Sequence, residues 1–146
     1  MKHLGDISRI TKEDAVPVDC ITFGSPCQDL SIAGKRAGLS GERSGLFMEA
    51  IRVIKEMYVS TLGRYPKFTV WENVTGVFSS NKGEDFRAVL EELAHIKESE
   101  ISIPRPENGK WAKAGFICGK CTTIPVYVEW NDAGQKCLGW ECCSRK

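Results

Sequence analysis

Two short apolar runs in the first half of the chain have the length and the boundaries of buried β-strands. Residues 19–23 lie just after Pro17 and end at Gly24, and residues 67–71 follow Pro66. Short apolar runs bounded by turn-forming residues are typical of strands that are covered on both faces. The pattern therefore predicts one strand at each position.

Apolar residues at helical spacing follow each run. Between Leu46 and Tyr58 they recur every three or four positions, with charged side chains on the opposite face, so the spacing predicts an amphipathic helix. Ser44 is a suitable N-cap for this helix, which is expected to end before Gly63. A second amphipathic helix is predicted over residues 84–97. The order strand, helix, strand, helix predicts an α/β fold with a parallel sheet.

Two stretches of the chain lack a clear period. Residues 24–45 hold five glycines and predict a long loop, of the kind that is usually functional or disordered. Beyond the second helix the pattern weakens into an irregular linker, residues 124–130 allow one more strand, and residues 131–146 show no clear element. We therefore expect an α/β unit over residues 1–100, and a linker with an irregular, cysteine-rich C-terminal tail over residues 101–146.

Composition and charge leave the functional class open. The chain has 146 residues, enough for one domain, and its net charge of +1 gives no overall signature of nucleic-acid binding. Lys35, Arg36 and Arg43 cluster in the predicted loop, where they would form either a phosphate-facing patch or a solvated surface. No apolar run is long enough to span a membrane and no signal peptide is recognisable, so we expect a cytoplasmic protein.

Chemically distinctive residues follow both predicted strands. Cys27 lies three residues after Gly24, and Glu72 directly follows the second strand. Ligands of parallel α/β sheets gather at the carboxyl ends of the strands, so a thiol and a carboxylate at adjacent strand ends would face one pocket. The thiol would act as a nucleophile and the carboxylate would handle a proton on the substrate. From spacing alone, the commoner alternative is a small buried cysteine and a polar turn.

The order and spacing of these segments resemble those of the DNA (cytosine-5) methyltransferase family. Residues 24–28 (Gly-Ser-Pro-Cys-Gln) are similar to its motif IV, and residues 72–74 (Glu-Asn-Val) to its motif VI. Residues 5–7 (Gly-Asp-Ile) resemble motif III. The resemblance to the catalytic loop and its following helix lies in residues 31–36 and 41–47, and the whole covers about residues 3–97. It implies a partial Rossmann-like S-adenosylmethionine-dependent methyltransferase sheet with flanking helices.

The resemblance also implies a reaction. Members of the family transfer a methyl group from S-adenosyl-L-methionine to C5 of cytosine in double-stranded DNA, in DNA methylation and restriction-modification. They flip the cytosine out of the duplex, because its ring is unreachable in the stack. The thiolate corresponding to Cys27 attacks C6 of the ring, and the carboxyl group corresponding to Glu72 holds N3. C5 then takes the methyl group, and loss of the C5 proton releases the cysteine.

The same resemblance implies the remaining site residues. The cofactor would be bound by Asp6 at its adenine, with Ile7 and Pro26 beside it. The DNA substrate would be bound by residues of motif IV, the catalytic loop and motif VI, namely Ser25, Gln28, Ser31, Lys35, Arg36, Arg43, Asn73 and Val74. The loop would close over the DNA with its basic side chains near phosphates.

Parts of the family's pattern have no counterpart in the sequence. These are the glycine-rich cofactor motif I, the Gln-Arg-Arg segment and the target-recognition domain. We therefore expect a truncated fragment or a split subunit with an incomplete cofactor site, inactive unless a complementing chain supplies the missing segments. A parallel sheet that lacks a strand leaves an open edge, so the isolated chain is expected to aggregate or oligomerise.

Five of the seven cysteines lie between Cys118 and Cys143. An intracellular location favours reduced thiols or metal ligands over disulfides. Cys118 and Cys121 have the spacing of a zinc knuckle, and Cys137 with Cys142 or Cys143 would complete a four-thiolate site. The sequence favours unpaired thiols without a metal, because the spacing of the second pair is less usual. The zinc hypothesis defines the alternative function, a non-catalytic α/β module that binds nucleic acid or protein through a zinc knuckle.

Overall fold

The computed structural model describes most of the chain and not the predicted loop. The described residues are 2–24, 45–73, 75–106, 109–111, 114–118, 120, 123–130 and 136–141. They form a five-stranded mixed sheet with two α-helices and three 3-10 helices. The predicted α/β class is confirmed, whereas the predicted parallel arrangement holds for one pair of strands alone among the described residues.

The two apolar runs form neighbouring parallel strands. Strand β1 spans Cys20–Gly24 and strand β2 spans Phe68–Asn73. They pair in register from Cys20 opposite Phe68 to Gly24 opposite Glu72. Both predicted strands are therefore confirmed, and their carboxyl ends meet at one edge of the sheet.

The two predicted helices are also present. Helix α1 spans Gly45–Ser60 and ends before Gly63, whose N–H donates to the Tyr58 carbonyl over 2.7 Å. Gly63 has a φ of +77°, the left-handed conformation that glycine adopts most readily after a helix. Ser44, the predicted N-cap, lies outside the described residues. Helix α2 spans Glu84–Ala94 and is shorter than predicted, because residues 95–97 form a turn.

The core lies between the helices and the sheet. Phe47 of α1 and Trp71 of β2 are almost fully buried and meet edge to face, with ring centroids 6.1 Å apart. Phe86 of α2 packs against Trp111 with centroids 5.1 Å apart. Trp111 belongs to the predicted linker, of which Ile101 and Ile103 are buried as well. The described linker residues up to Trp111 thus contribute to the core outside any helix or strand, whereas residues 114–118 of the same linker form a strand that the sequence did not predict.

The C-terminal part of the chain forms three strands. These are β3 (Ala114–Cys118), β4 (Thr123–Trp130) and β5 (Lys136–Glu141), all antiparallel to their neighbours. The predicted strand at residues 124–130 is confirmed as β4. The prediction that residues 131–146 hold no clear element is wrong for residues 136–141.

Strand β5 lies inside the sheet, whose strand order is β1-β2-β5-β4-β3. It pairs with β2 on one side and with β4 on the other. Its sequence, Lys-Cys-Leu-Gly-Trp-Glu, has a glycine in the middle and no long apolar run, so the local pattern did not indicate a strand. Pairing on both sides supplies the hydrogen bonds that make these residues a strand.

None of the helices in the described part of the chain has both the length and the apolar character that a membrane crossing needs.

Candidate functional site

The carboxylate of Glu72 lies at the carboxyl ends of the two parallel strands. Glu72 is directly opposite Gly24 in the β1–β2 ladder. A Cβ atom placed on Gly24 would lie 3.1 Å from Oε2 of Glu72. Because Gly24 has no side chain, the carboxylate packs against the backbone of β1. Glu72 is only half-buried, so this carboxylate remains accessible.

The neighbours of Glu72 along β2 hold the strand in place. Trp71 and Asn73 are 2% and 4% exposed, whereas Glu72 is half-buried. Side chains alternate between the two faces of a strand, so Trp71 and Asn73 lie on one face and Glu72 on the other. The Trp71 ring is fixed against Phe47 of α1. The strand end that carries Glu72 is therefore anchored by core packing.

Strand β2 has β1 on one side and β5 on the other, and Cys137 is the residue of β5 opposite Glu72. It is the Cα partner of Glu72 in the β2–β5 ladder and of Glu129 in the β4–β5 ladder. Cys118 pairs with Thr123, at the other end of β4. Thr123 and Glu129, the partners of Cys118 and Cys137 on β4, are six residues apart, which corresponds to about 20 Å along the strand.

The sheet therefore does not bring Cys118 and Cys137 of the predicted zinc set together. Cys121 and Cys142 lie outside the described residues. Across the described part of the chain, no group of three or more His, Cys, Asp or Glu side chains is arranged to hold a metal ion. The zinc set stays a prediction.

Asp6 caps the first 3-10 helix, Ile7–Arg9, which we call the N-terminal turn. Its Oδ1 accepts hydrogen bonds from the Ser8 amide over 3.0 Å and from the Ser8 hydroxyl over 2.9 Å. These bonds favour the charged form and lower the pKa of Asp6 below its ordinary value. The result is an exposed, ionised carboxylate with further acceptor capacity.

Arg52 of α1 binds the N-terminal turn. Its Nη2 donates to the Ile7 carbonyl over 3.0 Å, and its Nη1 donates to the Ile10 carbonyl over 3.0 Å. Glu49 and Glu56 of the same helix accept from Nε and Nη1 over 2.7 and 2.9 Å. The guanidinium group therefore connects the segment that contains Asp6 to helix α1.

The structure places four of the predicted site residues. Glu72 and Asn73 end β2, while Asp6 and Ile7 lie at the N-terminal turn, where Ile7 is half-buried. The others lie outside the described residues; they are Ser25, Pro26, Cys27, Gln28, Ser31, Lys35, Arg36, Arg43 and Val74. Their predicted roles therefore stay predictions.

Two residues of structural importance to this region did not follow from the sequence. The contact of Gly24 with Glu72 depends on the β1–β2 register, which the sequence does not show. The spacing of Glu49, Arg52 and Glu56 indicates a paired arginine on a helix surface. It contains no sign of the backbone carbonyls that Arg52 also binds.

Comparison with known proteins gives a family match over two thirds of the chain. The sequence model of the C-5 cytosine-specific DNA methylase family matches residues 1–97. The orphan methyltransferase M.SPRI of Bacillus phage SPR is 34% identical over 94 residues, which cover 64% of this chain and 20% of that protein. The type II methyltransferase M.BsuFI of Bacillus subtilis is 34% identical over 95 residues, covering 65% and 22%. The chain thus spans about a fifth of the length of these curated relatives.

One similar protein carries a different name. The DNA N-6-adenine-methyltransferase of Escherichia phage P1 is 35% identical over 115 residues, which cover 74% of this chain and 15% of that protein. The names of these three relatives therefore agree on methyl transfer, and among them the name of the phage P1 protein alone states a methylated base, adenine.

Proposed function

Because the chain belongs to the C-5 cytosine-specific DNA methylase family, we propose that it provides the cytosine-activating part of a DNA cytosine-5 methyltransferase. The reaction transfers a methyl group from S-adenosyl-L-methionine to C5 of a cytosine in double-stranded DNA. The observation that carries the proposal is the Glu72 carboxylate packed against Gly24. Gly24 ends the strand from which the chain continues to Cys27.

Chain connectivity supports a shared pocket for the thiol and the carboxylate. Cys27 is three residues from Gly24, and three residues of extended chain reach at most about 10 Å. The Glu72 carboxylate itself lies at Gly24. A cytosine ring bound at these strand ends would be within reach of both groups.

The two groups divide the work on the cytosine. The Cys27 thiolate forms a bond to C6, and the electron pair of the C5–C6 double bond moves toward C5. The Glu72 carboxyl group holds N3 and favours its protonation, which reduces the negative charge on the ring. C5 is then a nucleophile. C5 takes the methyl group as the sulfur–methyl bond of the donor breaks and S-adenosyl-L-homocysteine leaves. The C5 proton then passes to water, the electron pair of the C5–H bond restores the double bond and expels the thiolate, and N3 returns its proton to Glu72.

Among the described residues, Asp6 and Ile7 fit the adenine end of the methyl donor. The exposed, ionised Asp6 carboxylate is a suitable acceptor for the amino group of adenine, with Ile7 beside it and Pro26 proposed to line the same pocket. When bound, S-adenosyl-L-methionine supplies a methyl group on a positively charged sulfur. Asp6 and Ile7 would orient the adenine end of that molecule.

The remaining proposed contacts concern DNA. Lys35, Arg36 and Arg43 would bind phosphates, which are the main source of affinity for DNA. Motif IV, the loop and motif VI would supply contacts to the flipped nucleotide through Ser25, Gln28, Ser31, Asn73 and Val74. A cytoplasmic location goes with this proposal as a prediction from the sequence.

Cys27 favours cytosine over adenine as the target. The exocyclic amine of adenine is itself a nucleophile, and its methylation needs no covalent addition of the enzyme to the ring. C5 of cytosine becomes nucleophilic only after a nucleophile adds at C6. A cysteine three residues after Gly24, the strand partner of Glu72, therefore has a function in cytosine-5 methylation, and none is required for N6-adenine methylation.

The experiment measures exchange of the C5 hydrogen, which needs no methyl donor and therefore tests the cytosine-activating part whether or not the chain alone can transfer a methyl group. Addition at C6 lets C5 take a proton from water, so DNA carrying tritium at C5 of cytosine should release label to water when the full-length chain is added. Cys27→Ser and Glu72→Gln should reduce this release by at least about 100-fold. Transfer from S-adenosyl-L-methionine labelled in its methyl group is measured in parallel.

Cys20→Ser is the matched control, because Cys20 is an exposed free thiol at the other end of β1. It should release tritium as fast as the unchanged chain. Equal release by the Cys27→Ser variant, or no release by the unchanged chain, would contradict the proposal.

A further inference from the structure

The N-terminal segment of the protein is not held by a hydrophobic core. None of residues 2–18 is buried, and only Ile7, Ile10 and Ala15 are half-buried. Large apolar side chains of this segment remain exposed, including Val16 at 71%. The position of Asp6 therefore depends on polar contacts with the rest of the chain.

Arg52 supplies such contacts at both ends of the N-terminal turn. Its two terminal nitrogens donate to the carbonyls of Ile7 and Ile10 over 3.0 Å each. Two backbone hydrogen bonds close this turn: the Arg9 amide donates to the Asp6 carbonyl, and the Ile10 amide donates to the Ile7 carbonyl. Arg52 thus spans the turn that Asp6 caps, and a shift of its side chain would move the cap.

The guanidinium group is itself held in one orientation. Glu49 and Glu56, three residues before and four residues after Arg52, accept from its Nε and Nη1 over 2.7 and 2.9 Å. The hydrogen bond with Glu49, followed by that with Glu56, raises the pKa of Arg52 above its ordinary value. All three nitrogens of the side chain donate to defined acceptors. Such a planar fork offers two fixed donors to the turn, which a lysine ammonium group does not reproduce.

We propose that Arg52 is a positioning residue for the methyl donor, because it fixes the turn on which Asp6 would bind the adenine. The inference rests on the proposed function and adds a residue to which that function assigned no role. Arg52 acts through Asp6 and does not itself touch the donor. Helix α1 begins at Gly45, directly after the predicted loop that contains Cys27. Arg52 therefore also links the N-terminal turn to the helix that follows this loop.

The chain contains a matched control arginine. Arg87 of α2 is likewise placed between two carboxylates, Glu84 three residues before it and Glu91 four residues after it, at 3.2 and 3.4 Å. Its side chain is 35% exposed, against 32% for Arg52. No contact between Arg87 and the N-terminal turn is present among the described residues. Replacing Arg87 therefore removes a similar helix-surface ion pair and leaves the turn intact.

The test compares Arg52→Gln, Arg52→Lys and Arg87→Gln in the full chain, with two measurements. The first is amide hydrogen exchange at Arg9 and Ile10, the amides that close the turn. The second is the dissociation constant of S-adenosyl-L-methionine, measured by calorimetry. Arg52→Gln should speed exchange at both amides and weaken donor binding, each by roughly tenfold or more. Arg87→Gln should change neither by more than about twofold.

The Lys variant separates charge from geometry. Arg52→Lys keeps the positive charge and loses the fork, so donor binding should weaken nearly as much as in Arg52→Gln. Donor binding by either Arg52 variant that equals that of Arg87→Gln would overturn the inference and leave the proposed function standing. Absence of donor binding by the unchanged chain would refute the proposed donor site, and the inference with it.

Discussion

At the scale of single residues, Gly24 lies directly against the proposed catalytic carboxylate. The space that its missing side chain leaves is filled by the Glu72 side chain, with Oε2 3.1 Å from where a Cβ would be. Such a separation is shorter than an ordinary contact between a carbon and an oxygen, so a methyl group would push the carboxylate aside. The end of a glutamate side chain moves easily, so this displacement should cost little stability.

Gly24→Ala should therefore affect catalysis more than folding. We expect the release of tritium from C5 to fall by roughly tenfold, because the carboxylate must move by a few tenths of an ångström and a misplacement of about 1 Å can cost about 100-fold. The free energy of unfolding should change by less than about 1 kcal/mol. Gly45→Ala is the control, since a Cβ on Gly45 would meet no atom within 4 Å. A Gly24→Ala variant with unchanged exchange would show that the carboxylate position at Gly24 is not the active one.

At the scale of elements, two carboxylates tie the N-terminal segment into its turns. Asp6 accepts from the Ser8 amide over 3.0 Å, and Asp14 accepts from the Thr11 amide over 3.0 Å. In each case the hydrogen bond from the backbone amide is the largest cause of a lowered pKa. A carboxyl group with a lowered pKa in the folded state stabilises that state at pH values above its unfolded pKa. The contribution is lost as the pH falls through the lowered value.

The two turns should therefore open at acidic pH. In a pH titration followed by NMR, the amide shifts of Ser8 and Thr11 should change with midpoints below about 3.9, the ordinary pKa of an aspartate. Above pH 5 both turns should be fully formed. Asp6→Asn should abolish the Ser8 titration and leave that of Thr11 unchanged. Midpoints at or above the ordinary value would contradict the two hydrogen bonds.

Elements were predictable from the sequence where local spacing determines them. Helices α1 and α2 follow from apolar residues at helical spacing, and β1 and β2 follow from compact apolar runs between turn residues. Strand β5 did not, because its six residues include Gly139 in the middle and charged residues at both ends. It forms through pairing with residues of β2 that are more than sixty positions away in the chain, and such long-range pairing leaves no local period.

The candidate site divides in the same way. The sequence placed Glu72 at a strand end and predicted Asp6 as a cofactor-binding residue, because both belong to segments that resemble motifs of the family. It did not show that Gly24 adjoins the Glu72 carboxylate, since that contact depends on register. The sequence places Arg52 on the charged face of a helix and gives no further role, because a charge pattern does not reveal whether a carbonyl from another segment lies within reach.

At the scale of the whole molecule, β5 joins the C-terminal part of the chain to the part that matches the family. It pairs with β2 along all six residues of that strand, while the linker residues Ile101 and Ile103 enter the core built by α1 and α2. The predicted division at residue 100 separates a catalytic core from a tail. Whether the two parts also unfold separately is a question about the cooperativity of unfolding. If both parts unfold in one step, the division marks a boundary in sequence similarity and not in stability.

Two glycine substitutions test this point. Gly139 lies in the middle of β5 between Val70 and Tyr127, whereas Gly115 of β3 pairs with Val126 on one side alone among the described residues. Proline at position 139 removes a ladder hydrogen bond inside the sheet and should cost about 3 kcal/mol or more, whereas Gly115→Pro at the sheet edge should cost clearly less. Neither change removes a side chain.

Urea unfolding is followed by circular dichroism at 222 nm, which reports mainly on the helices within residues 1–100. We expect Gly139→Pro to shift the helical transition to lower urea in a single step. A helical transition that stays at its original midpoint in this variant would show that the C-terminal strands unfold independently of the family-matching part.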